Sequence, residues 1–193
     1  GSIGLFGKPG VGKFEFVYTG RHCTRRCDGD SVEGAAFGGP IFYGHAAGSF
    51  HEKADHKGNA YWFQAKRANE LYQALDTKHR KVALLDKRSR GERGNKTIQT
   101  KGSTKGLEGL PVSELAGDQK ALFQKVLADL LAPFRKKDAD EAMKLIEAND
   151  LNKLHLSYYK KEDIGDDGVW DVWQVEGPKM VWYFRGKPHV HVW

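Results

Sequence analysis

The chain has 193 residues, 39% hydrophobic and 29% charged, with a formal net charge of +6. This is ordinary composition for one domain that can bury roughly two-thirds of its unfolded surface, and it excludes wholesale disorder. No apolar run approaches the ~18 residues that cross a bilayer, so no membrane span is expected, and two cysteines are too few for a disulfide scaffold.

Residues 4–16 read GLFGKPGVGKFEF, and Gly7, Gly12 and Lys13 have the spacing of a phosphate-gripping P-loop. That motif requires Ser or Thr after its lysine and a helix whose first N–H groups cradle phosphate. Phe14 follows instead, and residues 14–27, FEFVYTGRHCTRRC, read as one strand rich in aromatic and β-branched types. The glycines are then a loop entering that strand, and no nucleotide is expected. Cys23 and Cys27 would share a strand face about 13 Å apart, which forbids a disulfide between them. A second extended segment, AAFGGPIFYGH, precedes a polar loop, GSFHEKADHKGN.

Helical spacing begins near Phe63, where Ala68, Leu71, Tyr72 and Leu75 form a short stripe, and a second helix starts at Asp76 or Thr77. Between Lys78 and Lys105 ten basic residues stand against Asp86 and Glu92, a local charge of +8 that leaves the rest of the chain at −2. Residues 87–109, poor in core formers, read as an exposed basic loop within a single domain spanning 1–193. The loop has no interleaved aromatics for base stacking and no docking motif, so nucleic acid is not an expected partner.

The clearest helix lies in LPVSELAGDQKALFQKVLADLLAPF, where Leu122, Phe123, Val126, Leu127, Leu130, Leu131 and Phe134 make one broad buried face. Asp138 and Glu141 read as a capping box opening the next helix, with Ala142, Leu145 and Ile146 inward. From Leu154 the period changes to 2. LHLSYY, WDVWQVEG, KMVWYFRG and PHVHVW, separated by GDDG, GP and GKP, read as an antiparallel meander. The expected architecture is α+β: amino-terminal strands and a carboxy-terminal meander forming an antiparallel sheet packed on a central helical block.

Eight histidines are present. His189 and His191 alternate along a strand, so both imidazoles face one side, close enough to bind one metal ion at ~2.0–2.1 Å. If residues 14–27 pair with the carboxy-terminal strand, His22 completes a triad, with His45 as a fourth candidate. Nitrogen ligands suit zinc, copper or iron. His51 and His56 lie in the polar loop beside Glu52 and Asp55. The aromatics of the last sheet read mainly as core. The rest of that reading is a platform for a flat ligand beside Arg185, with Trp182 and His56 as further substrate-binding candidates.

Four stretches, FGKPGVGKFEFVYTGRHCTRRCDGD, AFGGPIFYGHAAGSFHEKADHKGN, LPVSELAGDQKALFQKVLADLLAPF and DIGDDGVWDVWQVEGPKMVWYFRGKPHVHVW, resemble a bacterial family catalogued as domain of unknown function 3500. The resemblance covers almost the whole chain and implies no activity. It implies export to the periplasm or exterior, and it makes His22, His45, His189 and His191 signature positions. Members are usually longer, and Cys23 stands where an aliphatic residue is expected. The expectation is therefore a metal-binding protein, in its fuller form a hydrolytic or redox enzyme with one transition-metal ion acting on a small or carbohydrate-like molecule. The alternative is a non-catalytic module that binds its ligand on the aromatic sheet face.

Overall fold

The computed structural model describes residues 1–28, 41–45, 60–163, 167–186 and 189–193. Its centre is one large sheet built from β1 (Ser2–Gly7), β2 (Phe14–Gly20), β3 (Cys23–Asp28), β4 (Phe42–His45), β5 (Leu84–Leu85), β6 (Leu110–Pro111), β7 (His155–Tyr159), β8 (Val172–Glu176), β9 (Val181–Arg185) and β10 (Val190–Val192). The spatial order is β1-β2-β3-β4-β10-β9-β8-β7-β5, with β6 also on β7. All pairs are antiparallel except β5 with β7. Four helices, α1 (Trp62–Ala74), α2 (Thr77–Ala83), α3 (Gly117–Leu131) and α4 (Lys136–Ala148), complete an α+β fold.

The carboxy-terminal meander forms as the period-2 pattern predicts, and its alternation sorts residues onto two faces. Leu156, Tyr158, Trp173, Val175, Phe184, Val190 and Val192 join one core with the buried stripe of α3 (Phe123, Val126, Leu127 and Leu130) and with Trp62, Ala65, Ala68 and Leu71 of α1. The opposite face holds a smaller cluster of Tyr159, Val172 and Tyr183 with Trp193 packed on it. Every residue of β8 is buried, because both faces of this central strand are covered.

Two local expectations change. Residues 14–27 are not one strand but two, β2 and β3, turning at Arg21 and His22, with Glu15 opposite Asp28 and Gly20 opposite Cys23. Once the chain turns there the two arms pair with each other. The helix expected to open with an Asp138–Glu141 box begins at Lys136, and Asp138 in its first turn accepts from the Arg135 side chain at 2.7 Å. A capping interaction forms instead on α3, where the Gln119 side chain accepts from the Ala116 N–H at 3.0 Å and donates to the Ala74 carbonyl at 2.9 Å. Asp76 does cap α2, accepting from the His79 N–H at 2.8 Å.

Gly7 to Lys13 is the connection of the β1–β2 hairpin, and strand rather than helix follows Lys13. Strand β1 itself carries no sequence signal strong enough to have announced it. The stretch 87–109 is only partly exposed: Thr97 is buried, and the Arg90 side chain is 16% exposed where it meets Glu176.

Leu127, fully buried where α3 meets the sheet, supplies a direct check of this packing. Leu127→Ala is expected to lower unfolding free energy by about 2–5 kcal/mol, read as a lower midpoint in urea with unchanged slope.

Candidate metal centre

The site is set by one cross-strand row. Strand β4 lies between β3 and β10, so the two histidine-bearing segments do not pair directly as the sequence suggested. Instead Gly44 sits between them, donating its N–H to the His22 carbonyl at 3.0 Å on one side and opposing His191 on the other. A side chain on the middle residue of such a row would separate the outer two. A Cβ built on Gly44 would run into the Val190 carbonyl oxygen and stand 3.0 Å from the His191 ring. Glycine is therefore the residue that lets His22 and His191 approach across an intervening strand.

His22 and His191 have ring centroids 5.1 Å apart, and His189, just before β10, closes the group at 5.0 Å from His22 and 4.5 Å from His191. The rings are steeply inclined to one another and meet through their Nε2 atoms, at 3.1 Å for His22 to His189 and 2.8 Å for His189 to His191. Among the described residues this is the group of three whose ligand atoms all lie within 4.8 Å of one another. Tetrahedral ligands at ~2.0–2.1 Å from zinc stand about 3.3 Å apart, close to these separations.

Glu92 defines the chemistry of the third ring. Its Oε1 lies 3.1 Å from His191 Nδ1 and also pairs with the Arg185 guanidinium. With Nδ1–H donated to that carboxylate, the Nε2 of His191 carries only a lone pair, directed at the other two imidazoles. A ring N–H on His189 can satisfy one of its two nitrogen neighbours but not both. A cation that accepts three lone pairs satisfies the whole group.

Burial, reinforced by positive charge, keeps the imidazoles neutral and so ready to ligate. It pushes His191 down to about 3, with Arg185 adding to the effect. His189 is lowered by burial and then by Arg185, and His22 by burial and then by Arg21. Glu92 is raised by its own burial against the opposing pull of Arg185. Phe42 and Trp193 form the apolar wall, their rings 4.9 and 5.3 Å from His191.

His45 ends β4 opposite Val190 and lies outside the group of three, and its buried Nδ1 has no hydrogen-bond partner among the described residues. Arg185 is at the site, but its guanidinium serves Glu92 and approaches the His189 carbonyl at 3.5 Å. Trp182 opposes Val175 and packs into the helix-side core, on the face away from the triad. His56, with His51, lies outside the described residues. Cys23 and Cys27 are both free and neither joins the triad.

The sequence reading missed Glu92 and Gly44. Glu92 is one of only two acidic residues between Lys78 and Lys105, and that isolation was the available signal. The family model described as "Protein of unknown function (DUF3500)" matches residues 2–191. No curated protein and no solved structure matches the chain.

Two measurements follow from this geometry. Gly44→Ala is expected to cost about 1–3 kcal/mol through overpacking, seen as a lower thermal midpoint, and to push His191 away from His22. The metal-free protein should also lose stability in mild acid. The unfolded chain protonates its histidines near pH ~6.5 whereas the folded triad resists, so the stability is fully present above that value and lost as the pH falls. For His191 the loss continues toward its folded value of about 3. Urea midpoints at about pH 7.5 and about pH 5.5 should show the decline, and His191→Gln should flatten it.

Proposed function

The chain belongs to the DUF3500 family, and from that premise we propose that it is a metal-binding protein with a mononuclear three-histidine centre formed by His22, His189 and His191. The observation that carries this reading is the convergence of three Nε2 atoms from two separate parts of the chain, at 3.1 and 2.8 Å. Isolated imidazoles do not gather at such distances around nothing in particular, because their lone pairs repel unless a proton or a cation lies between them.

Three neutral nitrogen donors suit zinc, copper or iron and leave coordination positions open. When bound there, such an ion supplies Lewis-acid chemistry to a water or to an oxygen of a small molecule, and copper or iron would add redox capacity. The chain's own contribution is to hold the three rings neutral and aimed. Phe42 and Trp193 shield His191 from water, and Glu92 fixes its tautomer. In the full form of the proposal the protein is a hydrolytic or redox metalloenzyme for a small or carbohydrate-like molecule. Export to the periplasm or exterior belongs to the same proposal, on the family resemblance alone.

The alternative, a ligand platform on the aromatic sheet, finds little support in the burial pattern. Tyr158, Tyr159, Trp173, Tyr183 and Phe184 are each at most 2% exposed and so are packing groups, while the partly exposed Trp182 and Trp193 pack against the two cores on opposite faces of the sheet rather than side by side on one.

Elemental analysis of protein purified without a polyhistidine tag, then loaded and desalted, tests the proposal. About one equivalent of a transition metal is expected, with loss of that metal in His189→Ala and His191→Ala variants that remain folded by circular dichroism. Metal content unchanged in both variants would overturn it.

A further inference from the structure

We infer that segment 89–98 is a positioning strap for the triad, in which Arg90 and Thr97 hold Glu92 against His191 and so determine which nitrogen of that ring faces the other two imidazoles. The inference rests on the metal-site reading for its purpose, but its geometry is independent of any metal.

The strap crosses the sheet face opposite the helices. Arg90 is its anchor: Nε donates to the Gln174 side chain at 2.9 Å, and a terminal nitrogen lies 2.9 Å from Glu176, whose side chain is 3% exposed. The Gln174 amide completes the network by donating to Glu176 at 3.1 Å. Ser89 adds a second attachment, its hydroxyl 2.7 Å from the hydroxyl of Tyr183. Each of these partners lies on β8 or β9, and β9 is the strand that pairs with β10.

From that anchor the loop is closed on itself around Glu92. Arg90 also donates to the Thr97 carbonyl at 2.8 Å. The Thr97 hydroxyl accepts from the Arg93 N–H at 2.7 Å and donates to the Gly91 carbonyl at 3.2 Å, so it grips the backbone on both sides of Glu92. Gly91 takes φ +66°, which an L side chain rarely adopts, and this permits the tight return. Thr97 is 1% exposed, too buried for its hydroxyl to be replaced by water. Arg90 and Thr97 direct their hydrogen bonds to β8 and to the backbone of the strap itself, so their action passes through Glu92.

A carboxylate that misses Nδ1 leaves the imidazole free to carry its proton on Nε2. That nitrogen would then present N–H where a ligating lone pair is needed. The strap thus converts a fold contact made on β8 into a tautomer held on β10.

Nitrogen-15 NMR of histidine-labelled, metal-free protein reads the tautomer directly. The wild type should show His191 protonated on Nδ1 and bare on Nε2. Thr97→Val, nearly isosteric, and Arg90→Ala should each shift His191 toward the Nε2–H form, Arg90→Lys should restore the wild-type form in part, and neither Thr97→Val nor Arg90→Ala should add anything in a Glu92→Gln background. In zinc titrations the Thr97→Val protein should bind about tenfold more weakly, within the ~10–100-fold expected of outer-shell partners. If Thr97→Val folds and keeps the wild-type His191 tautomer, the strap inference fails, whatever the metal content. If the tautomer shifts but the wild type takes up no metal, the strap stands and the metal-site reading falls.

Discussion

The arrangement depends on a single constraint, the backbone row that places His22, Gly44 and His191 side by side across three neighbouring segments of the sheet. Hydrogen bonding fixes the spacing between strands at roughly 5 Å, so outer residues of a three-strand row stand about twice that distance apart at their Cα atoms. Imidazoles can bridge that span only if nothing projects from the middle position. The absent side chain of Gly44 provides that opening, and the sheet holds it there through the Gly44 N–H to His22 carbonyl bond and the antiparallel pairing with His191. Sliding β4 by one residue would place Tyr43 or His45 between the rings and close it.

The helices do not touch this chemistry; they make the sheet a rigid reference. Packing of α1 and α3 onto one face buries Trp62, Phe123, Leu127, Trp173 and Phe184, and this side supplies the apolar burial that stabilises the domain. The other face is freed for polar work. There a chain of charged and hydrogen-bonding groups runs from Glu176 and Gln174 through Arg90 to the strap, and from Glu92 to Arg185 and His191. A buried ion pair such as Arg90 with Glu176 is weak evidence for stability, since desolvation opposes the attraction. Here it is a geometric anchor, and its value lies in where it puts Glu92.

What the sequence disclosed follows the reach of the forces involved. Period 3.6 in α3 and period 2 in the meander are local signals, and both elements form where the pattern puts them. The alternation of His189 and His191 is equally local, and from it the pairing of two ligands on one face could be read. His22 was reachable because aromatic alternation marked its segment as extended, although the hairpin at Arg21 and His22 was not seen. Glu92 and Gly44 both act on His191, about a hundred residues or more away, and no local periodicity records a contact of that range. A lone acid in a basic stretch reads as loop composition until the sheet it docks on is known. The same holds for Arg90 and Thr97, whose burial contradicts the polarity of their neighbours.

The three histidines are not equally well held. His189 and His191 adjoin or lie on β10, which pairs with β9 on one side and β4 on the other. His22 sits at the turn of the β2–β3 hairpin, and among the described residues β3 pairs with β4 at two positions, Cys23 with Tyr43 and Thr24 with Phe42, with Arg25 also donating to the Phe42 carbonyl at 2.9 Å. Beyond it β1 and β2 bury little: Ile3, Leu5 and Phe6 are each more than half exposed. Two of the histidines are therefore pre-arranged at β10, and the third arrives on an arm with a short seam to the sheet. An ion bound by all three would favour the docked arm over any detached one by its affinity for the complete set. Hairpin docking and the binding of any such ion would in this way be coupled, because the same seam brings His22 to the other two histidines.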